Sequence, residues 1–144
     1  MTNLTRASSE DWGLLLLRLA IGGLMLFHGI DKLIGGIEGI TGLVQSKGLP
    51  GFVAWGVLVG EVVAPVLIVL GFYVRPAGAV LAFNMLVAIL LAHPNDVLKL
   101  GEHGEWAIEL QMLYLMGALC ITLLGPGRIT IRGMSKQPKD VDPA

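Results

Sequence analysis

Long apolar runs alternate along the chain with short connections that are polar or rich in glycine and proline. Four apolar segments stand out, at about 12–34, 52–71, 76–92 and 106–124. An α-helix needs about 20 mostly apolar residues to cross roughly 30 Å of hydrocarbon, and each run reaches or approaches that length. The pattern therefore predicts an all-α integral membrane protein, folded as a four-helix up-and-down bundle.

The connections between the segments indicate how the predicted helices are arranged. Gly35 and Gly36 end the first segment, and Pro76 begins the third. Only about four residues join the second and third segments, so these helices should be antiparallel neighbours. The longer connection at 35–50 is predicted to hold a short amphipathic helix along the membrane surface.

Composition supports a membrane protein and excludes other classes. Of the 144 residues, 54% are hydrophobic and 15% charged, and the mean hydropathy is +0.75. We expect one membrane domain at 1–134 and a polar, disordered tail at 135–144. Because the net charge is −1 and the basic residues are scattered, nucleic acid is not an expected partner. The single cysteine, Cys120, excludes an internal disulfide, so redox chemistry would need a cofactor or a partner.

The distribution of lysine and arginine predicts the orientation in the membrane. Basic residues near helix ends favour the cytoplasmic side. One side would carry three of them, Lys32, Lys47 and Lys99, and the other six, Arg6, Arg75, Arg128, Arg132, Lys136 and Lys139. Both termini are therefore expected in the cytoplasm, with the connections at 35–50 and 93–105 on the outer side.

The first apolar segment carries charged and polar residues that need an explanation. A charge in hydrocarbon costs about 2.5–3.5 kcal/mol on insertion scales, so each such residue needs a partner or a function. Arg18, His28 and Lys32 follow one stripe of the helix, beside Gly22 and Gly29. Since the glycines allow a neighbouring helix to approach closely, the polar stripe should face the inside of the bundle.

Depth along the helices should let His28 meet Glu61 and Glu109, from the second and fourth segments, in the outer half of the bundle. Lys32 and Glu105 should lie above them. The expected pocket is lined by His28, Lys32, Glu61 and Glu109. Pro65 should bend the second helix and free the carbonyl of Glu61. Buried carboxyl groups and histidine can both exchange protons near neutral pH, so these four are the candidate catalytic residues of a pocket for a quinone-like headgroup. The alternative is that they only pair with one another and fix the helix register.

Other polar residues are secondary candidates for ligand binding. Arg18 lies deeper than the cluster, Asn84 lies within the third segment, and Glu105 precedes the fourth. Asn84 is better explained as a hydrogen-bonding residue between helices. A haem held by His28 and His93 is not favoured, because a histidine before a proline at a helix end is ordinary at the membrane interface. No metal site is predicted.

Several motifs, in this order and spacing, resemble those of DoxX-like membrane proteins over residues 12–132. The resemblance rests on the Arg18 segment leading to HGIDK (28–32), KGLP (47–50), VGEVVAPVLIVLGFYVRPA (59–77), Glu109 and GPGRITI (125–131). Arg132 departs from the closing signature, which commonly ends in an acidic residue. The resemblance implies a four-helix protein of the bacterial cytoplasmic, or inner, membrane. Some relatives are associated with quinone-linked sulfur oxidation, and others with oxidative-stress or thiol-handling complexes.

The leading functional hypothesis is a subunit or accessory of a membrane redox system. In this hypothesis a quinone or another small redox-active molecule meets the polar cluster, and partner redox subunits share the bilayer with this chain. Whether the chain is itself an enzyme stays open. One alternative is a non-enzymatic scaffold for partner proteins, and another is a small-solute transporter, which would need a homo-oligomer because one four-helix bundle has little room for alternating access.

Overall fold

The computed structural model describes residues 7–131, in which every regular element is a helix. Arg132 and the predicted tail at 135–144 lie outside the described residues. Five helices follow one another along the chain: α1 (Ser9–Gly35), α2 (Glu38–Ser46), α3 (Gly51–Leu70), α4 (Val74–Ala92) and α5 (Glu109–Leu124). The predicted all-α class is therefore confirmed, and the connection at 35–50 does hold a short helix, α2.

Three of the helices are long and apolar enough to cross a membrane. They are α1 with 27 residues, α3 with 20 and α4 with 19. Helix α5 is equally apolar but has 16 residues, a length of about 24 Å. It begins at Glu109 rather than at 106, because Trp106 belongs to the preceding turn. There it forms a β-bridge with Leu100, and its indole N–H donates to the Val97 carbonyl at 2.7 Å.

Helix α3 changes its winding around Glu61. The turn at Val59–Val63 is π-helical, and the N–H of Ala64 donates to the carbonyl of Val59, five residues earlier. This wider turn lies directly before Pro65, whose ring cannot donate a hydrogen bond. The sequence predicted a bend there with a free carbonyl on Glu61. Such a carbonyl was expected either to be buried in protein or to face a polar cavity, and it lies against the backbone of Gly29 in α1.

The core lies where α1, α3, α4 and α5 meet. Aliphatic and small residues fill it, and α4 and α5 share the most extensive contact. Its most buried members include Ile68, Leu81, Ala118 and Ile121. Small residues let the helices approach closely: a Cβ atom on Gly117 would lie only 2.3 Å from the Ile21 side chain. This packing holds the polar residues described below at fixed positions.

Arg18 is buried at the other end of the bundle from Lys32, with 1% of its surface exposed. Its guanidinium donates four hydrogen bonds of 2.7–2.9 Å to backbone carbonyls, those of Ile68, Val69, Pro126 and Ile129. Two of these acceptors belong to the end of α3 and two to the segment after α5. Arg18 therefore joins three parts of the chain, and its hydrogen bonds do not involve Glu61.

Candidate functional site

An ion pair between Lys32 and Glu61 lies at the centre of the candidate site. Lys32 comes from the last turn of α1 and Glu61 from the π-helical turn of α3. The Lys32 ammonium donates to Oε2 of Glu61, and the amide of Asn84 in α4 donates to Oε1 at 3.5 Å. Because Glu61 is only 5% exposed, the cation and the amide compensate a charge that would otherwise be costly to bury.

Two glycines allow the three helices to meet at this pair. A Cβ atom on Gly29 would lie 2.2 Å from the backbone oxygen of Glu61, and one on Gly60 would lie 2.3 Å from the side chain of Asn84. Both distances are far below van der Waals contact. The absence of a side chain at these positions is therefore what lets α1 and α4 approach α3 at Glu61.

A small cavity of about 170 Å³, hereafter the polar cavity, opens on one side of the ion pair and has both polar and apolar residues in its lining. The Tyr114 ring is buried there and makes an edge-to-face contact with the His28 ring, with centroids 5.8 Å apart at 87°. The cavity is lined by Met25, His28, Lys32, Glu61, Met85, Ala88, Leu110, Gln111 and Tyr114. Groups that can donate, accept or exchange protons therefore share one cavity.

A larger apolar cavity of about 570 Å³ opens on the other side of the same pair. Helix α2 covers it, and α3 and α4 form its walls. Its polar groups belong to Lys32, Glu61 and Asn84, and the rest of the lining is mainly aliphatic, including Ile40, Leu43, Val53, Val57, Val87 and Leu91. The ion pair thus borders two cavities of different chemistry, one polar and one large and apolar.

The structure brings His28, Lys32, Glu61 and Asn84 together but leaves Glu109 and Glu105 apart. Glu109 is exposed in the first turn of α5, where its carboxylate accepts the backbone N–H of Trp106 at 3.3 Å. Acidic side chains are favoured at this position because they face the positive end of the helix dipole. Glu105 lies in the exposed turn before α5, where it accepts the backbone N–H of His103 at 3.0 Å. The expected meeting of Glu109 with the cluster is therefore not observed.

The sequence analysis missed Gln111 and Tyr114, which occupy the place expected for Glu109. A signal for them was present in the sequence. Gln111, Tyr114, Ala118 and Ile121 recur at spacings of three, four and three, so they share one face of α5. Three of these residues are buried, and small or polar residues on such a face indicate helix contacts.

His93, which follows α4, lies between Asp96 in the next turn and Gln111, one of the residues that line the polar cavity. Its Nδ1 lies 3.1 Å from Oδ2 of Asp96, and its Nε2 lies 3.1 Å from the amide nitrogen of Gln111. Lys99 donates to the other Asp96 oxygen at 3.0 Å. The hydrogen bonds from Lys99 and from His93 lower the pKa of Asp96 below its usual 3.8.

Fold and site together define a multi-pass helical membrane protein with a buried acid–base pair between two cavities. The DoxX family model matches residues 13–94, so the chain belongs to the DoxX family. It is 35% identical over 117 residues to the Bacillus subtilis (strain 168) protein named "Putative oxidoreductase CatD", covering 81% of this chain and 82% of the relative. No solved structure matches the chain.

Proposed function

We propose that this DoxX-family protein is a quinone-binding subunit of a redox system in the bacterial cytoplasmic membrane. The observation that carries the proposal is the position of the Lys32–Glu61 pair between a polar and a large apolar cavity. The Bacillus relative carries the name "Putative oxidoreductase CatD", which supports the same chemical class.

The large apolar cavity fits both parts of a quinone. A quinone has an apolar chain and a ring whose two carbonyl oxygens accept hydrogen bonds. The apolar cavity of about 570 Å³ lies within the range of small-molecule sites and suits the chain and ring. Its polar groups include the Lys32 ammonium and the Asn84 amide, which can donate to a ring oxygen.

Reduction of a quinone to a quinol consumes two electrons and two protons. The electrons would come from a partner redox subunit, because the single cysteine of this chain cannot form a dithiol. The Lys32 ammonium donates a proton to the reduced ring oxygen and becomes a neutral amine, while Glu61 stabilises the cation before transfer. Reprotonation of Lys32 from the polar cavity then permits the second transfer.

The proposal is tested with the full-length protein in phosphatidylglycerol nanodiscs and with ubiquinone-1 as the probe. Quenching of tryptophan fluorescence measures binding. Glu61 holds the Lys32 ammonium at the cavity, and a hydrogen bond from a charged donor contributes about 1.5–3 kcal/mol. We therefore expect saturable quenching with an affinity about tenfold weaker in Glu61→Gln, in which Lys32 loses that anchor. Glu102→Gln, which removes an exposed acid at the same end, should bind like the wild type.

A second variant separates loss of binding from loss of folding. Val57 lines the apolar cavity about one helical turn before Glu61, and Val57→Phe should fill part of the cavity and weaken binding while leaving the ion pair intact. Thermal unfolding checks that both variants are folded. The proposal is refuted if the wild type shows no saturable binding, or if folded Glu61→Gln and Val57→Phe both bind ubiquinone-1 with unchanged affinity.

A further inference from the structure

The polar groups of the large apolar cavity all lie at one end of it. Its lining covers 53–61 on α3 and 83–92 on α4, a length of about 12–14 Å at about 1.5 Å per residue. Glu61 is the last lining residue on α3, and it accepts hydrogen bonds from Asn84, near the start of the α4 lining, and from Lys32. Helix α2 packs on the first turn of α3, at the opposite end. We call the end marked by Lys32, Glu61 and Asn84 the polar end.

Hydrogen-bond donors that a ligand can use are confined to the polar end. The Lys32 ammonium has three N–H groups and the Asn84 amide has two, and each uses one of them on Glu61. The other described side chains of the lining are aliphatic, apart from Phe83 and a glycine. Backbone N–H groups inside a helix donate to carbonyls of the same helix, so the walls beyond the polar end offer apolar surface.

This distribution of donors discriminates between quinone rings. The two carbonyl oxygens of a quinone lie on opposite sides of the ring, so only one of them can meet the polar end. A ubiquinone ring carries a methoxy group beside each carbonyl, and at least one methoxy oxygen would therefore lie against aliphatic side chains. An acceptor buried without a donor weakens a complex, whereas a methyl group or a fused hydrocarbon ring in the same place does not.

Apolar character alone does not favour one quinone over another at this site. A quinone reaches the cavity from the bilayer, and lipid tails are as apolar as the aliphatic wall. Moving a ring from lipid into the cavity therefore gains little from the hydrophobic effect. The ring substituents change the affinity through the hydrogen bonds they make or lose.

We infer that the ligand of this site is a quinone whose ring carries only hydrocarbon substituents, such as a prenylated naphthoquinone, rather than a methoxylated benzoquinone. This inference rests on the proposed function, which it narrows from quinones in general to one chemical class. The specificity-determining residues are the aliphatic ones about one turn from the polar end, Val57 on α3 and Val87 on α4.

A matched pair of probes isolates the effect of the methoxy groups. Ubiquinone-1 is compared with its trimethyl analogue, in which methyl groups replace both methoxy groups and the prenyl chain is unchanged. Tryptophan quenching is measured with the full-length protein in phosphatidylglycerol nanodiscs, and affinity is expressed per lipid so that partitioning into the bilayer cancels. We expect the trimethyl analogue to bind about tenfold more tightly, or about 1.4 kcal/mol, which lies within the cost of one unpaired acceptor.

Two variants of Val87 test whether the aliphatic wall causes this preference. Val87→Asn places an amide donor about one turn from Asn84, and it should reduce the affinity ratio of the two probes to below about threefold. Val87→Ala adds space without a donor, so it should keep the ratio of about tenfold. Because both probes are measured on the same variant, a loss of folded protein affects them equally and leaves the ratio unchanged.

The outcomes separate this inference from the proposed function. Equal affinity of the wild type for the two probes, or tighter binding of ubiquinone-1, overturns the inference. The same affinity ratio in Val87→Asn and Val87→Ala also overturns it. If neither probe binds the wild type saturably, the proposed function itself is refuted, so the two failures are distinguishable.

Discussion

Replacing Gly29 by alanine tests whether the close approach of α1 to α3 positions the site. The added Cβ atom would lie 2.2 Å from the backbone oxygen of Glu61 and 2.7 Å from the Val62 side chain. Ordinary van der Waals contacts begin at 3.4 Å, so the space between the added Cβ atom and the Glu61 oxygen is about 1.2 Å too narrow. Because the nearest obstacle is backbone, a rotamer change cannot relieve the overlap, and the helices must separate.

The expected change in stability of Gly29→Ala follows from two opposing effects. Overpacking of this kind costs about 1–3 kcal/mol. Alanine also favours a helix by about 1 kcal/mol over glycine, which partly hides that cost. Gly13→Ala is a matched control, since Gly13 lies in the same helix and a Cβ atom there would meet nothing within 4 Å. Gly29→Ala should therefore be about 1–3 kcal/mol less stable than Gly13→Ala, with the propensity effect cancelled.

The assay is equilibrium unfolding of both variants in mixed dodecylmaltoside and dodecylsulfate micelles, followed by far-UV circular dichroism. A second measurement records the ¹⁵N chemical shift of the Lys32 ammonium. Separation of the helices should weaken its ion pair with Glu61 and move that shift in Gly29→Ala only. Equal stability of the two variants, with an unmoved Lys32 signal in both, would refute the argument that Gly29 positions Glu61.

Two further predictions concern groups outside the two cavities. Arg18→Met should lower the free energy of unfolding by about 3–5 kcal/mol, because four carbonyls lose their donor. The control Arg75→Met, at an exposed site, should change that free energy by less than about 0.5 kcal/mol. Similar thermal denaturation of the two variants would contradict this prediction. The pKa of the Asp96 carboxyl lies below its usual 3.8 in the folded protein. The hydrogen bonds of this carboxylate to Lys99 and His93 therefore stabilise the connection at 93–105 above pH 3.8, and they are lost as the pH falls through the pKa of folded Asp96. Carbon NMR of Asp96 should show a midpoint below 3.8 that rises in Lys99→Met, and an unmoved midpoint would show that Lys99 is not the cause.

The sequence predicted the spans well because hydropathy is a local property. Each apolar run corresponds to a helix, and Gly35 and Gly36 mark the end of α1 as expected. The sequence also placed Lys32 and Glu61 in one pocket, although it did not predict that these two would pair. These features depend on helical geometry alone, which fixes rise and direction for each residue.

The rest of the site depends on which face each helix turns toward its neighbours. Glu109 was assigned to the cluster from its depth, yet it shares the exposed face of α5 with Leu113 and Met116. Gln111, two residues later, turns inward instead. Depth does not determine rotation about the helix axis, and only the packing of α5 on α1 and α4 fixes that rotation.

The partners of Arg18 could not be predicted for a different reason. Every residue of the chain offers a backbone carbonyl, so sequence gives no preference among them. The choice of these four depends on how α3 ends and on the path of the segment at 125–131. Neither is visible in a hydropathy pattern.

The Arg18 hydrogen bonds also bear on the order in which the bundle is assembled. Two of them reach acceptors 50 and 51 residues away, and the other two reach 108 and 111 residues along the chain. During synthesis, α1 is made before α3 and α5, and it carries a cation that its own helix cannot satisfy. Half of the acceptors exist once α3 is complete, but the others arrive only with the residues after α5. Helix α1 therefore reaches its final bonding state only after the segment at 125–131 has been made.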